Sequence, residues 1–267
     1  MNNYLSVMSV SAVIPSREQT WADSVPSQMK RRDPRIWQLA HTASKRAVET
    51  ANSRPKSVIA GTALGALDET KNFLDMLFKE GFGSPRNFIA SVHNSMAGKI
   101  ALDLEIPGPN LTVCDGHNSF ASALATAALL DYESFPVLLL IIDEHIELLD
   151  ILKPSFSDRC IPYIKENWEE AAVAFVIDRQ NSDSKVGIRS AGPVPVNNKS
   201  PVKVCMELAG LPTQKSDHLI FEESCFSFVQ PAITAFDLIS TGFTGSKTIG
   251  SYSPTSKSAA IVEIKHA

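Results

Sequence analysis

The sequence predicts an α/β fold, because short runs of β-branched and aliphatic residues alternate along the chain with segments of helical periodicity. One observation is the uninterrupted aliphatic run from Val137 to Ile142, which is typical of a parallel strand covered on both faces. Another is the segment 108–130, where an apolar strand breaks at Asp115-Gly116 and continues as a helix rich in small residues. With 267 residues, 44% of them hydrophobic, the chain can bury a large core.

Regularly spaced strand and helix signals run through the first two thirds of the sequence. A first strand ends at Pro15, and a helix begins near Pro34 and ends before Pro55. A short second strand leads into a helix that Gly81 and Gly83 terminate. The strands expected here are 4–14, 57–61, 110–114, 137–142 and 171–178, and the helices lie within 34–54, 68–79, 87–102 and 117–130.

The signals are weaker after Asn181. The pattern there predicts a possible strand at 202–208, a helix at 228–239, and a final pair of strands around Thr248-Ile249 and at 259–264.

Charge and cysteine content exclude several classes of protein. A net charge of −4 gives no bulk electrostatic attraction to nucleic acid or to an anionic membrane. The four cysteines are far apart and show no metal-ligand spacing, so we expect reduced thiols, no metal site and a cytoplasmic location. The N-terminal segment has no cationic leader, and no apolar run is long enough to span a membrane.

The break at Asp115-Gly116 forms a strand-to-helix elbow, and the residue at the elbow is His117. The first turn of a helix offers unpaired N–H groups and the positive end of the helix dipole, so enzymes often place a nucleophile there. An imidazole is a poor substitute for a thiol in this position, because an acyl-imidazole hydrolyses readily and does not store an acyl chain.

These signals resemble, in order and composition, the β-ketoacyl synthases of the thiolase fold. Counting from Gly108-Pro109, His117 occupies the position of the active-site Cys in that family. The segment Asn94-Ser95-Met96-Ala97-Gly98 is similar to the Asn-x-x-Ala-Gly helix of those enzymes. The resemblance extends from Tyr4 to about Arg179 and implies a layered α/β/α/β/α fold.

The resemblance after Asn181 is one of order only. The His-Gly-Thr and Gly-His-x-x-Gly motifs that carry the two catalytic histidines of the family are missing, and His218 is not followed by Gly-Thr. We therefore expect one ketosynthase-like domain over 1–267, with a thiolase-like half at 1–180 and a truncated half at 181–267.

The resemblance implies a non-catalytic subunit of the chain-length-factor type. Such a subunit has no catalytic residue and no cofactor, and it pairs with an active β-ketoacyl synthase that elongates chains on acyl carrier protein, which it meets only indirectly. Short forms of this kind are associated with aryl polyene biosynthesis, a polyketide- and fatty-acid-type chemistry. The residues that the resemblance implies for the acyl pocket or the interface are Asn94, Met96, His117 and Phe120.

Several alternatives remain open from the sequence. His117 or Ser119 could serve a stand-alone decarboxylase or hydrolase that acts on acyl thioesters, and a homodimeric acyl-binding module is a third hypothesis. The simpler interpretation of His117 is a space-filling residue, and that of Met96 and Phe120 is core packing. Strand alternation predicts that Cys114 is a buried, inert thiol.

Overall fold

The computed structural model describes residues 4–152, 169–179, 184–212, 218–221 and 228–266. Within these ranges, nine strands form one mixed sheet in the order β3-β2-β4-β5-β1-β6-β9-β8-β7. The strands are β1 (Leu5–Val13), β2 (Ser57–Thr62), β3 (Asn110–Cys114), β4 (Val137–Asp143), β5 (Ala171–Asp178), β6 (Val186–Pro195), β7 (Leu219–Phe221), β8 (Gly245–Ser253) and β9 (Ser258–His266). The α-helices are α1 (Ser27–Arg32), α2 (Arg35–Ala51), α3 (Leu67–Glu80), α4 (Pro85–Ser91), α5 (His93–Asp103), α6 (Ser119–Leu129), α7 (Glu147–Leu152), α8 (Pro201–Ala209) and α9 (Gln230–Thr241).

The sheet consists of two half-sheets that meet at one corner. The first is β3-β2-β4-β5-β1, in which β2 pairs in parallel with both β3 and β4, and β5 is antiparallel to both β4 and β1. The second is β6-β9-β8-β7. Only two residue pairs, Leu5 with Ile188 and Ser6 with Gly187, join β1 to β6. The half-sheets therefore diverge from this corner and leave space for helices between them.

Helices fill that space and cover both outer faces. Helix α6 contacts strands of both half-sheets, and α9 also contacts β1, β5 and β8, so these two helices form the middle layer. Helices α2 and α5 pack on the outer face of the first half-sheet, and α8 packs on the outer face of the second. The result is the predicted α/β/α/β/α order of a thiolase-like fold.

The buried aliphatic run behaves as predicted. Every residue of β4 is buried, and so is every residue of β2, because helices cover both faces of these parallel strands. One hydrophobic cluster fills the middle layer and a second lies between the first half-sheet and its outer helices.

One sequence-based assignment is wrong. The segment predicted as a strand at 202–208 is helix α8. Its boundary residues explain this, since the Ser200 hydroxyl accepts the Lys203 amide at 3.2 Å, Pro201 begins the helix and Gly210 adopts the left-handed conformation that ends it. The Asn-x-x-Ala-Gly motif lies on helix α5, as expected, and the aromatic-led stretch before it forms the separate helix α4, with an extended Val92 between the two. Strand β6 was not predicted.

Candidate functional site

The predicted elbow is present at the end of β3. The chain leaves the strand at Asp115, Gly116 adopts a left-handed φ of +53°, and a 3₁₀ turn over Gly116–Asn118 leads into α6. A side chain at Gly116 would be strained, and its Cβ would also lie 3.0 Å from Ser253 Oγ. Glycine at this position therefore lets the elbow approach the β8–β9 hairpin.

His117 lies inside the molecule at the N-terminal end of the middle helix. Its side chain is buried, and its ring centroid lies 4.5 Å from that of Phe228 at an interplanar angle of 53°. This tilted arrangement is a favourable geometry for two aromatic rings. The contact supports the interpretation of His117 as a residue that fills space at the elbow.

Asn118 connects the elbow to the second half-sheet. The side chain is fully buried, and its Nδ2 atom donates to the carbonyl oxygen of Ser258 at 3.1 Å and to Ser258 Oγ at 3.0 Å. Its Oδ1 atom accepts the Ser251 hydroxyl at 2.8 Å. The only sign of this residue in the sequence is a polar position between His117 and the small residues of α6, which does not by itself predict a functional or structural role.

Ser119 is occupied by backbone contacts. Its Oγ atom accepts the Asp115 amide at 3.0 Å and lies 2.8 Å from the Thr62 carbonyl oxygen and 2.7 Å from that of Gly116. The side chain is fully buried. The hydroxyl therefore stabilises the elbow and the end of β2, and its hydrogen bonds do not include a histidine that could act as a base.

Asp143 ends β4 with a fully buried carboxylate that backbone groups surround. Its oxygens accept the Thr62 hydroxyl at 2.8 Å and the amides of Ala63 and Leu64 at 2.9 Å each. Burial raises the pKa of Asp143 to about 6, although these hydrogen bonds favour the ionised form. Asp143 thus fixes the turn between β2 and α3.

Glu144, the next residue, is buried in a different environment. Its side chain is 4% exposed, and its Oε1 atom has no hydrogen-bond partner. Burial and, to a lesser extent, the neighbouring carboxylates of Asp68, Glu69 and Glu170 together raise the pKa of Glu144 to about 8, and the positive charge of Arg35 opposes them. His145 points outward and pairs with Asp150 at 2.8 Å.

Met96 and Phe120 lie on opposite faces of the first half-sheet. Met96 is buried in the cluster between that half-sheet and its outer helices. Phe120 is buried in the middle layer, where its ring stacks on Phe175 with a centroid distance of 5.3 Å. The two residues are therefore not brought together, and Phe120 is the one that shares the middle layer with the elbow.

Asn94 lies at the edge of the sheet. Its exposed side chain joins α5 to β3, because Nδ2 donates to Asn110 Oδ1 at 3.0 Å and Oδ1 accepts the Thr112 hydroxyl at 3.0 Å. On its outer side, β3 has no strand partner among the described residues. Cys114 ends this strand and is exposed, so the predicted buried thiol is wrong. Partial loss of solvent around the sulfur and, to a lesser extent, the nearby Asp143 carboxylate raise the pKa of its thiol.

Helices α3 and α4, with the loop between them, form an arm over residues 67–91. None of the residues of α3 is buried, and its main contact among the described elements is α4. Phe73 and Phe88 join the two helices, with ring centroids 5.5 Å apart. The apolar side chains that the arm exposes are Leu74, Leu77, Phe78, Phe82, Phe88 and Ile89, and Phe78 is 82% exposed.

Neither a metal site nor a spanning helix is found in the described part of the chain. No group of three or more His, Cys, Asp or Glu side chains there could hold a metal ion. None of the helices described is both long and apolar enough to cross a bilayer.

The fold and the elbow define a ketosynthase-like protein of the thiolase fold. The family model for the β-ketoacyl synthase N-terminal domain matches residues 8–185, more than half of the chain, and the chain belongs to this family. A search of curated proteins gives no match.

Solved structures with this fold include complexes of ketosynthases. A ketosynthase (ApeO) in complex with its chain length factor (ApeC) from Xenorhabdus doucetiae is 18% identical with a TM-score of 0.55, over 72% of this chain and 84% of that one. The ishigamide ketosynthase/chain length factor is 13% identical with a TM-score of 0.74, over 98% and 99%. A type II polyketide acyl-carrier protein in complex with its hexaketide-bound ketosynthase is 11% identical with a TM-score of 0.72, over 100% of both chains.

Proposed function

We propose that this protein is a non-catalytic, chain-length-factor-like subunit that forms a heterodimer with an active β-ketoacyl synthase. The observation that carries the proposal is the surface formed by the arm and the open edge of β3. On this proposal, residues 1–267 form one ketosynthase-like domain whose second half, from 181, is abbreviated. The heterodimer acts in the cytoplasm and needs no cofactor on this subunit.

The exposed apolar surface supports an obligate partner. Six large apolar side chains of the arm are accessible on a helical hairpin whose first helix buries none of its residues. Monomeric proteins rarely expose a contiguous apolar patch of this kind, and obligate interfaces are the more apolar class. The chain leaves the arm at Val92, which is also exposed, and enters α5, which packs on β3. The arm and the open edge of β3 therefore lie on the same side of the first half-sheet.

The elbow supports a subunit without its own nucleophile. His117 packs on Phe228, and Ser119 is bonded to backbone atoms. Neither arrangement activates a hydroxyl or a thiol, so a stand-alone hydrolase built on Ser119 receives no support from the geometry.

The role in chain length follows from the same proposal. The subunit shapes an acyl pocket on its partner, in polyene, polyketide or fatty-acid-type synthesis, and meets the carrier protein only through that partner. The structural relatives include ketosynthase–chain length factor complexes, and one relative holds an acyl-carrier protein. A rigid polyene would be stopped by a single bulky side chain, because overpacking by one methylene costs ~1–3 kcal/mol.

The heterodimer is tested by co-expression with candidate ketosynthases, followed by affinity capture, sizing and an assay of malonyl-carrier turnover. We expect a stable 1:1 complex that is active only through the partner's Cys and keeps its rate when His117→Ala is introduced. A soluble lone protein whose thioester turnover disappears in His117→Ala would contradict the proposal and make the elbow histidine catalytic.

The gate, meaning the side chain that stops growth of the acyl chain, is tested separately in the active complex. Ala and Trp substitutions at Met96 and at Phe120 are expected to change product length without abolishing elongation. Phe120 should have the larger effect, because it shares the middle layer with His117 whereas Met96 lies on the other face of the half-sheet. Chain-length distributions that are the same in all four variants would exclude both residues as the gate.

A further inference from the structure

The base of the arm contains a buried carboxyl group that the proposed function does not use. Glu144 follows β4, and its side chain is 4% exposed with a buried Oε1 atom that has no hydrogen-bond partner. The preceding residue, Asp143, holds the amides of Ala63 and Leu64 in the turn that leads directly into α3. Glu144 therefore lies where the arm joins the body of the protein.

The charged groups that face Glu144 are mostly acidic. Asp68 and Glu69 come from the first turn of α3, Glu170 from the segment before β5, and Arg35 from α2. Arg35 already has a carboxylate partner, because its guanidinium pairs with Glu170. The Oε2 atom of Glu170 also accepts the His145 amide at 3.2 Å. An ionised Glu144 would therefore add a buried, poorly compensated negative charge beside two carboxylates of the arm.

Asp143 shows which hydrogen bonds stabilise an ionised carboxyl group that is as fully buried as Glu144. Its oxygens accept one hydroxyl and two backbone amides, whereas the Oε1 atom of Glu144 accepts nothing. Two adjacent carboxyl groups with such different environments are expected to ionise in different pH ranges.

We propose that Glu144 is a proton-dependent latch: its neutral carboxyl lets the acidic first turn of α3 rest against the end of β4, and its ionisation loosens the α3–α4 arm. The surface that the arm exposes is then ordered most firmly below neutral pH. This inference concerns the free chain and holds whether or not the arm binds a synthase.

Proton linkage gives the direction of the effect. When the arm opens, Glu144 meets water and regains the ordinary pKa of a glutamate, well below its value of about 8 in the closed state. Between these two values opening releases a proton, so the opening constant rises with pH by at most about tenfold per unit. Above the upper value the dependence disappears.

Hydrogen exchange of the full-length chain between pH 5.5 and 9 tests the latch. Protection factors, corrected for intrinsic exchange, should be lower for arm amides than for α2 amides, and should fall with pH up to about 8 before levelling off. In Glu144→Gln, which resembles the neutral carboxyl, arm protection should not change with pH above about 7, where Asp143, whose pKa burial raises to about 6, is already ionised, and should exceed the wild-type value at pH 8.

Two further variants test whether a neighbouring charge sets the pH at which the dependence levels off, and provide a control. Asp68→Asn removes one neighbouring charge, so the pH at which the dependence levels off should move down. Glu80→Gln removes an exposed carboxyl at the far end of α3 and should change nothing. Arm amides as protected as those of α2 at every pH, or the same pH dependence in Glu144→Gln, would overturn the proposal.

Discussion

At the scale of single residues, the elbow uses its polar side chains to hold backbone and neighbouring strands. Ser119 bonds to backbone atoms of three residues, and Asn118 satisfies both ends of its amide with Ser251 and Ser258. A buried polar group is stabilising only while all its partners remain, since an orphaned donor or acceptor costs about 1–3 kcal/mol. Asn118 therefore links the two half-sheets at the elbow.

Replacement of Asn118 by Ala should lower the free energy of unfolding by roughly 2–4 kcal/mol, because two serine hydroxyl groups lose buried partners. Urea unfolding followed by far-UV circular dichroism measures the change. The matched control is Asn72→Ala on half-exposed α3, which should shift stability by less than about 0.5 kcal/mol. Equal effects of the two substitutions would show that the Asn118 network adds nothing to the fold.

At the scale of elements, the arm shows what the spacing of apolar residues predicts about a helix and what it leaves undetermined. The apolar spacing of 68–79 predicted a helix, and α3 is that helix, with Gly81 in the left-handed conformation at its end. Spacing alone does not say what covers an apolar stripe, so the open face of the arm could not be foreseen. Strand β6 escaped prediction because it contains two glycines and two prolines, which are rare inside strands.

The arm gives a prediction about solubility and assembly. The double substitution Phe78→Ser and Phe82→Ser should make the lone chain more soluble and should weaken capture of the synthase by tenfold or more, because buried aromatic side chains dominate interface energies. Sedimentation after expression and affinity capture measure the two effects.

Tyr132→Ser provides the control for the arm. Tyr132 is 71% exposed but lies ahead of β4, at the opposite end of the parallel strands from the arm. It should leave capture unchanged. Loss of capture in Tyr132→Ser with retention in the arm variant would move the interface to the other end of the sheet.

At the scale of the whole molecule, the order of the layers could be predicted from the sequence, but which residues lie in each layer could not. Met96 and Phe120 were both assigned to a pocket or an interface, and the structure separates them by the thickness of a sheet. Sequence spacing fixes which face of its own helix a residue occupies, but the side of the sheet on which that helix packs depends on the topology.

This separation predicts additive energetics. Met96→Ala should cost about 2–5 kcal/mol and Phe120→Ala about 3–5 kcal/mol of unfolding free energy, since both side chains are fully buried. The double variant should equal the sum within about 0.5 kcal/mol, because the residues lie in different clusters. A larger coupling energy in urea unfolding would mean that the two clusters respond as one.

The close approach of α6 to β2 limits which sequences can encode this fold. A Cβ at Gly61 would lie 2.8 Å from the Ser119 carbonyl oxygen and 3.1 Å from Ala123 Cβ, so the strand and the helix touch through a position that has no side chain. The same carbonyl belongs to the first residue of the helix that carries the elbow. A side chain at Gly61 would therefore displace the start of α6 and with it His117, which lies two residues before Ser119. The two positions are expected to vary together in any lineage that keeps this helix in place.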